Sequence, residues 1–167
     1  MSLSLYQASI PVFIRSLNIL STLLERAETH ITENKLEPEA FLSARLFEDM
    51  FPLTAQIQLA SDAAKFAATR LAAIKPPVFA DEETTFPQLQ ERIAKTITFL
   101  ESLNAEQFDG SESREIVIKI RDNDVRFDGR SYLLTFALPN FLFHITTAYG
   151  ILRHKGVKVG KLDYLGF

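Results

Sequence analysis

The amino-acid sequence predicts an all-α protein: a four-helix bundle with a small β-hairpin between the third and fourth helices. Three observations lead to this prediction. Apolar residues recur at three- and four-residue steps over four long segments, which is the period of amphipathic helices. One short segment, residues 115–127, alternates apolar and polar residues, which is typical of a hairpin. The longest apolar segment, residues 131–154, carries polar side chains that need partners inside a bundle.

The composition fits a single domain spanning residues 1–167. A chain of 167 residues with 47% hydrophobic residues can bury its own core. It contains no Cys, which excludes disulfides, thiolate metal ligands and a cysteine nucleophile. The net charge of −3 provides no positive field for nucleic acid or an anionic membrane. Since neither a signal peptide nor a transmembrane run is evident, we expect a soluble cytoplasmic protein that binds neither nucleic acid nor a membrane.

The first predicted helix runs from Leu5 to about Ile31, because its apolar residues form one stripe. Pro11 falls about two turns into this segment. A proline there lacks the N–H that the helix ladder needs. The sequence therefore predicts either a helix that starts near Ser9 or a helix that kinks at Pro11.

The second predicted helix begins at Pro38, which suits the first position of a helix, and its apolar periodicity runs from Phe41 to Ile74. It is predicted as one very long helix or as two collinear pieces. Pro52 must interrupt its hydrogen-bond ladder, since the proline ring crowds the carbonyl of Glu48. Lys75 precedes two prolines and ends the helix, because residues before proline avoid the α region.

The third predicted helix begins at Thr85, which forms a capping-box pattern with Gln88, and extends to about Leu103. The hairpin follows, with a turn predicted at residues 122–124. The last helix then leads to Gly156, which suits the residue just beyond a helix end.

Four polar side chains are candidates for a site between the second and last helices. Asn140 and His144 share a mainly apolar face of the last helix, since they are four residues apart. Asp49 and Gln56 lie on a similar predicted face of the second helix, on either side of Pro52. Two interrupted helices with polar groups at mid-length predict that these four residues converge on one pocket.

Three interpretations of this pocket remain open. In the first, Asp49 and His144 are simple buried partners that satisfy one another by a hydrogen bond or ion pair. In the second, the four residues line a small-molecule pocket. In the third, His144 is a metal ligand or general base, and Asp49 is a second ligand or orients the imidazole. One His, one Asp and amides are few ligands for a transition metal.

Three segments resemble a domain-of-unknown-function branch of the DinB-like (YfiT-like) superfamily of four-helix bundles. They are Asp49-Met-Phe-Pro-Leu-Thr54, Leu138-Pro-Asn-Phe-Leu-Phe-His144 and Thr147-Ala-Tyr-Gly-Ile-Leu-Arg-His154. The resemblance covers nearly the whole chain. It implies the superfamily's divalent-metal site, built from one second-helix His and an H-x-x-x-H pair on the fourth helix.

Within that resemblance, His144 matches the second His of the pair, whereas the first position is Asn140. Asp49 is the nearest candidate for the second-helix ligand. The resemblance therefore implies a small-molecule-binding bundle with a degenerate metal site and no certain cofactor. It also implies an alternative, a transferase-like enzyme that depends on a thiol or on Zn, Ni, Fe or Mn, and it favours a homodimer. A purely dimeric interaction module without a pocket is a third hypothesis.

Overall fold

The computed structural model describes residues 3–167 and shows four long helices with a hairpin before the last one. The helices are α1 (Leu5–Asn34), α2 (Glu39–Leu42), α3 (Leu53–Ala72), α4 (Phe86–Glu101), α5 (Gly129–Tyr132), α6 (Leu138–His154) and α7 (Lys161–Leu165), and the strands are β1 (Glu115–Ile120) and β2 (Asn123–Asp128). Short 3₁₀ turns at Ala105–Phe108 and Ser111–Ser113 precede β1. A π-helical turn, Leu133–Ala137, joins α5 to α6, so the last helix is continuous from Gly129 to His154.

The four long helices enclose one core. α3 packs against α6 and α4, and α1 packs against α4 and α6. Phe13 and Phe141 are fully buried where α1 meets α6, and their rings meet edge to face with centroids 4.9 Å apart. Edge-to-face packing is a favoured geometry for aromatic rings. The predicted all-α bundle with a hairpin between the third and fourth long helices is confirmed.

α1 begins before its proline. Ser4 caps the helix by a capping box with Gln7, so the helix starts at Leu5 and not near Ser9. Pro11 leaves the carbonyl of Gln7 without its usual donor. Both residues are exposed, so that water can replace the missing hydrogen bond.

The predicted second helix is not continuous, and the prediction is corrected on this point. α2 ends at Leu42, and the connection to α3 is a non-helical loop, residues 43–52. The backbone N–H of Leu53 donates to the carbonyl of Ala44 at 2.9 Å, which closes this loop onto itself. Pro52 interrupts the helical ladder as predicted, but it does so as the extended residue immediately before α3, with ψ 169°.

The hairpin shows the predicted alternation of residues along its strands, but its second strand begins earlier in the sequence than predicted. Ile116 pairs with Phe127 and Ile118 pairs with Val125 in antiparallel register. The turn lies at residues 121–122, and Arg121 takes the left-handed conformation with φ 54°. The turn is therefore shorter than the predicted turn at residues 122–124, and β2 starts at Asn123.

The π-helical turn is explained by the proline that follows it. In an α-helix, the ring of Pro139 would crowd the carbonyl four residues earlier, at Thr135. The backbone N–H of Leu138 instead donates to the carbonyl of Leu133, five residues earlier. Widening the helix by one residue per turn relieves this crowding without ending the helix.

Two glycines meet specific backbone requirements around the last helix. A Cβ on Gly129 would lie 1.9 Å from the carbonyl oxygen of Ser111, so the start of the helix touches the preceding turn directly. Gly156 has φ +90° just beyond the helix end, as the sequence predicts.

Within residues 3–167, no helix combines the length and the apolar character that crossing a membrane requires.

Candidate functional site

His144 lies where α6 faces α3 and is 8% exposed. Its Nδ1 atom lies 2.8 Å from the Oε1 atom of Gln56 on α3. Gln56 is 1% exposed. The structure therefore brings together two of the four predicted residues, one from each of the two predicted helices.

The hydrogen bonds of Gln56 determine the tautomer of His144. The Nε2 amide of Gln56 donates to the backbone carbonyl of Phe51 at 3.1 Å, and a carbonyl can only accept. The Oε1 atom of Gln56 must then be the acceptor that faces His144. The Nδ1 atom of a neutral His144 therefore carries the proton, and its Nε2 atom carries the lone pair.

Burial lowers the pKa of His144 below the ordinary histidine value, because the charged imidazolium loses solvation. The imidazole is therefore neutral at pH 7. Its Nε2 atom has no hydrogen-bond partner among residues 3–167. A neutral imidazole with a free, oriented Nε2 lone pair can accept a hydrogen bond, accept a proton or bind a metal ion.

Asp49 is not part of this arrangement. It is an exposed residue of the loop 43–52, and it makes no hydrogen bond or ion pair with His144. The prediction that Asp49 shares a helical face with Gln56 is wrong, since the loop replaces that part of the helix. The expected pairing of Asp49 with His144 is also wrong, because Gln56 takes the Nδ1 proton.

Asn140 lies one turn before His144 on α6 and is half-buried. Its side chain makes no hydrogen bond to the rest of the described chain. The shared face of Asn140 and His144 is thus preserved in a continuous helix. The amide of Asn140 remains free for a partner outside the protein.

Exposed aromatic side chains accompany the imidazole. The ring of Phe143 lies 5.4 Å from the ring of His144, edge to face, and Phe143 is 54% exposed. In the loop 43–52, Phe47 and Phe51 are 64% and 60% exposed. Leu46 packs this loop onto α6, since its Cδ1 atom lies 3.3 Å from where a Cβ of Gly150 would be. Large exposed aromatic groups beside an oriented polar atom are typical of binding surfaces.

The donor set does not fit the superfamily's metal site. In the part of the chain that the structure describes, no three His, Cys, Asp or Glu side chains lie close enough to hold a metal ion. At the site itself, His144 offers a single imidazole nitrogen, and Gln56 and Asn140 offer neutral amides. Transition metals such as zinc bind strongly to imidazole, thiolate and carboxylate ligands, usually three or four of them. This donor set therefore supports no chemical step through a metal.

A second polar cluster, centred on Arg92 of α4, was not anticipated from the sequence. Arg92 is 2% exposed. Its guanidinium contacts three carboxylates: Asp62 at 3.0 Å, Asp81 at 2.9 Å and Glu83 at 3.1 Å. It also donates to Ser61 Oγ at 2.9 Å and to the carbonyl of Ala80 at 3.0 Å.

The charges of this cluster are mutually satisfied. Burial alone would raise the pKa of Glu83, but hydrogen bonds from Gln58 and Arg92 outweigh this effect and lower it. Lys65, which is 3% exposed, contacts Asp62 at 2.6 Å. Because every cation of the cluster has a carboxylate, the cluster fastens the 75–84 loop to α3 and α4 and leaves no group free for chemistry.

The fold and the single oriented imidazole define the class of this protein as a DinB-like helical bundle. The crystal structure of a DinB family member protein from Shewanella denitrificans aligns with a TM-score of 0.92, and the two sequences are 38% identical. The alignment covers 98% of this chain and 92% of that chain. This chain belongs to the family described as domain of unknown function DUF1993, whose sequence model matches residues 5–165. A comparison with curated protein sequences finds no match.

Proposed function

We propose that this protein binds a small organic molecule at His144, in a degenerate version of the DinB-like metal site. The observation that supports the proposal is the chain of hydrogen bonds from His144 through Gln56 to Phe51, which leaves the Nε2 lone pair free. A ligand with an N–H or O–H group can donate to that nitrogen. Such a hydrogen bond to a partly buried nitrogen favours ligands that carry the donor.

The surroundings favour a ligand with an apolar or aromatic body. Phe143 lies against the imidazole, and its exposed ring loses less freedom on binding than a long flexible side chain would. The free amide of Asn140, one turn away on the same helix, supplies a second polar contact. We therefore propose an aromatic hydrogen-bond donor as the ligand class.

The alternative is a transferase-like enzyme, which the DinB-like resemblance suggests and the neutral imidazole supports. A lowered pKa keeps His144 in the form that accepts a proton at pH 7. In this alternative, the Nε2 atom takes the proton of a thiol co-substrate and leaves the thiolate as the nucleophile. A metal-dependent version needs ligands beyond those that this chain brings together.

The metal-dependent version of the alternative separates from the proposed function in one set of measurements on protein purified without a metal-affinity column. Metal content is determined for the wild type, for His144→Ala and for the matched control His30→Ala, which changes a half-exposed histidine elsewhere. The proposed function predicts no metal above background in any sample, even after incubation with excess Zn, Ni, Fe or Mn. Stoichiometric metal that disappears only in His144→Ala supports the alternative instead.

Binding is then compared for two probes that differ by one hydroxyl, p-cresol and toluene. We expect p-cresol to bind about fivefold more tightly than toluene, since one net hydrogen bond contributes about 1 kcal/mol. This preference should vanish in His144→Phe and persist in His30→Ala. Equal binding of the two probes to the wild type would contradict the proposed use of Nε2.

A further inference from the structure

A second polar contact joins α3 to the last helix at the opposite end from His144. The Nη1 atom of Arg70 donates to the hydroxyl oxygen of Tyr132 at 2.9 Å. Residues 56 and 70 are fourteen positions apart on α3, which corresponds to about 21 Å at about 1.5 Å per residue. The Arg70–Tyr132 contact is thus separate from the candidate site at His144.

Arg70 is a cation without a carboxylate. The buried cations Lys65 and Arg92 both contact carboxylates, whereas no Asp or Glu within the described residues lies within 4.0 Å of the guanidinium of Arg70. The ring of Phe66 lies 5.3 Å from the central carbon of that guanidinium. Stacking on an aromatic ring holds the guanidinium in place without neutralising its charge.

Tyr132 contributes a second donor. Arginine can only donate, so the hydroxyl oxygen of Tyr132 is the acceptor of their hydrogen bond. The hydroxyl hydrogen then has no acceptor among residues 3–167. Burial raises the pKa of Tyr132 despite the neighbouring arginine, so the phenol keeps this hydrogen at physiological pH. The Tyr132 hydroxyl and the Arg70 N–H groups that Tyr132 does not accept can therefore donate to a further group.

Aromatic rings lie beside both residues, Phe66 at Arg70 and Phe127 and Phe136 at the ring of Tyr132. Tyr132 is 1% exposed and stacks on Phe136, with centroids 5.9 Å apart and planes at 24°. Phe127 of β2 adds an edge contact at 6.1 Å. Phe66, Phe127 and Phe136 are half-buried and so retain accessible surface.

We propose that Arg70 and Tyr132 bind the carboxylate of an aromatic acid, whose ring packs against Phe66 and Phe136. Guanidinium groups bind carboxylates through two parallel hydrogen bonds, and Arg70 has N–H groups that no described residue uses. The half-buried rings favour a flat apolar body over a free inorganic anion. This site requires neither a metal nor His144.

The test uses three probes with the intact protein at low salt: benzoate, benzyl alcohol and inorganic phosphate. Benzyl alcohol keeps the ring without the charge, and phosphate keeps the charge without the ring. We expect benzoate to bind saturably and at least about tenfold more tightly than either of the others, because charge-assisted hydrogen bonds and ring contacts both contribute. Equal binding of phosphate, or no saturable binding of benzoate, would overturn the proposal.

Variants identify the site. Arg70→Gln should weaken benzoate binding about tenfold or more. The matched control Arg153→Gln removes an equal charge from an exposed position and should leave binding unchanged. Tyr132→Phe keeps the ring and should weaken binding several-fold. Retention of full affinity by Arg70→Gln would show that benzoate binds elsewhere.

A direct measurement keeps the proposal testable if the variants do not fold. In the wild-type protein, benzoate should shift the NMR signals of the Arg70 Nε–H group and of the Tyr132 and Phe136 rings. Shifts confined to the loop 43–52 would place benzoate at the His144 end and overturn this site. Because the two sites respond to different variants, failure of one proposal does not affect the other.

Discussion

Arg92 offers the sharpest test of how this fold is held together. The change is Arg92→Met, which keeps an unbranched apolar stem and removes the charge with its hydrogen bonds. The side chain of Arg92 is 1% exposed, and the carboxylate of Glu83 beside it is 12% exposed. Loss of the cation would leave Glu83 buried with only Gln58 as a partner.

The expected loss of stability depends on whether each carboxylate finds another partner when the guanidinium is removed. Asp81 is 58% exposed and regains water, and Asp62 keeps its contact with Lys65. Glu83 regains the fewest interactions. The hydroxyl of Ser61 and the carbonyl of Ala80 each lose a hydrogen-bond donor as well. Breaking a buried ion pair costs about 3–5 kcal/mol, so we expect about 3 kcal/mol for Arg92→Met. For a domain of this size, that lowers the melting temperature by about 6–12 °C.

Urea denaturation and thermal melting, both followed by circular dichroism, measure this loss. The matched control is Lys95→Met on the same helix. Lys95 pairs with Glu91 at 2.7 Å, but the two side chains are 59% and 62% exposed, so the expected change is at most about 0.5 kcal/mol. A loss for Arg92→Met no larger than that for Lys95→Met would refute the reasoning.

Three further predictions use separate features. Because burial lowers the pKa of His144, the unfolded chain binds a proton near the ordinary pKa of about 6.5, whereas the folded chain does not. The free energy of unfolding should therefore fall as the pH drops below about 6.5, by at most about 1.4 kcal/mol per pH unit. His144→Gln should lose this pH dependence in urea denaturation at several pH values. Gly129→Ala should destabilise by about 2 kcal/mol or more because its Cβ would meet the carbonyl of Ser111, whereas Gly160→Ala, with no contact closer than 3.8 Å, should melt near the wild-type temperature. If the expected homodimer uses the exposed face beside the site, Phe143→Asp should sediment as a monomer where the wild type sediments as a dimer, and an unchanged dimer would exclude this face.

Periodicity and capping patterns were sufficient for most of the architecture. The capping box at Thr85 and Gln88 is present at the start of α4, and the alternating isoleucines form β1. These features depend on neighbours a few residues apart, and such local preferences agree with the tertiary structure here. The order of helices and hairpin could therefore be predicted.

The candidate site was only partly predictable. The spacing of Asn140 and His144 placed them correctly on one helical face, and Gln56 on the predicted partner helix reaches His144. Asp49 was misplaced because apolar residues in the loop 43–52 keep a helix-like spacing on a non-helical backbone, although most of them are exposed. Leu46, for example, packs on α6 from a non-helical backbone. Pro52 showed that the helix is interrupted but not how far the interruption extends.

The Arg92 cluster was beyond sequence reasoning for a different reason. Its carboxylates come from α3 and from the 75–84 loop, and they meet Arg92 only in the folded chain. Charged residues at such positions are usually solvated, and nothing local distinguishes these from the others. The same holds for Arg70 and Tyr132, which are 62 residues apart in the sequence.

The hydrogen bond between Gln56 and His144 can be tested as a structural or a functional feature by a double-mutant cycle. Gln56→Leu should destabilise the protein by about 1–3 kcal/mol, because it leaves the Nδ1–H group of His144 buried without a partner. His144→Phe should have a cost of similar size, since it leaves the Oε1 atom of Gln56 unpaired.

The double variant Gln56→Leu/His144→Phe removes both polar groups together, and replacing both partners of a buried hydrogen bond by apolar groups is often nearly neutral. We therefore expect its stability to lie within about 1 kcal/mol of the wild type, as measured by urea denaturation. In that case the fold does not need this pair, and its presence is better explained by a ligand that uses Nε2. If the double variant instead loses well over 1 kcal/mol, but less than the sum of the two single costs, the coupled pair itself stabilises the bundle and the structural interpretation of His144 is the correct one. Full additivity of the two costs would show that the hydrogen bond between them contributes nothing.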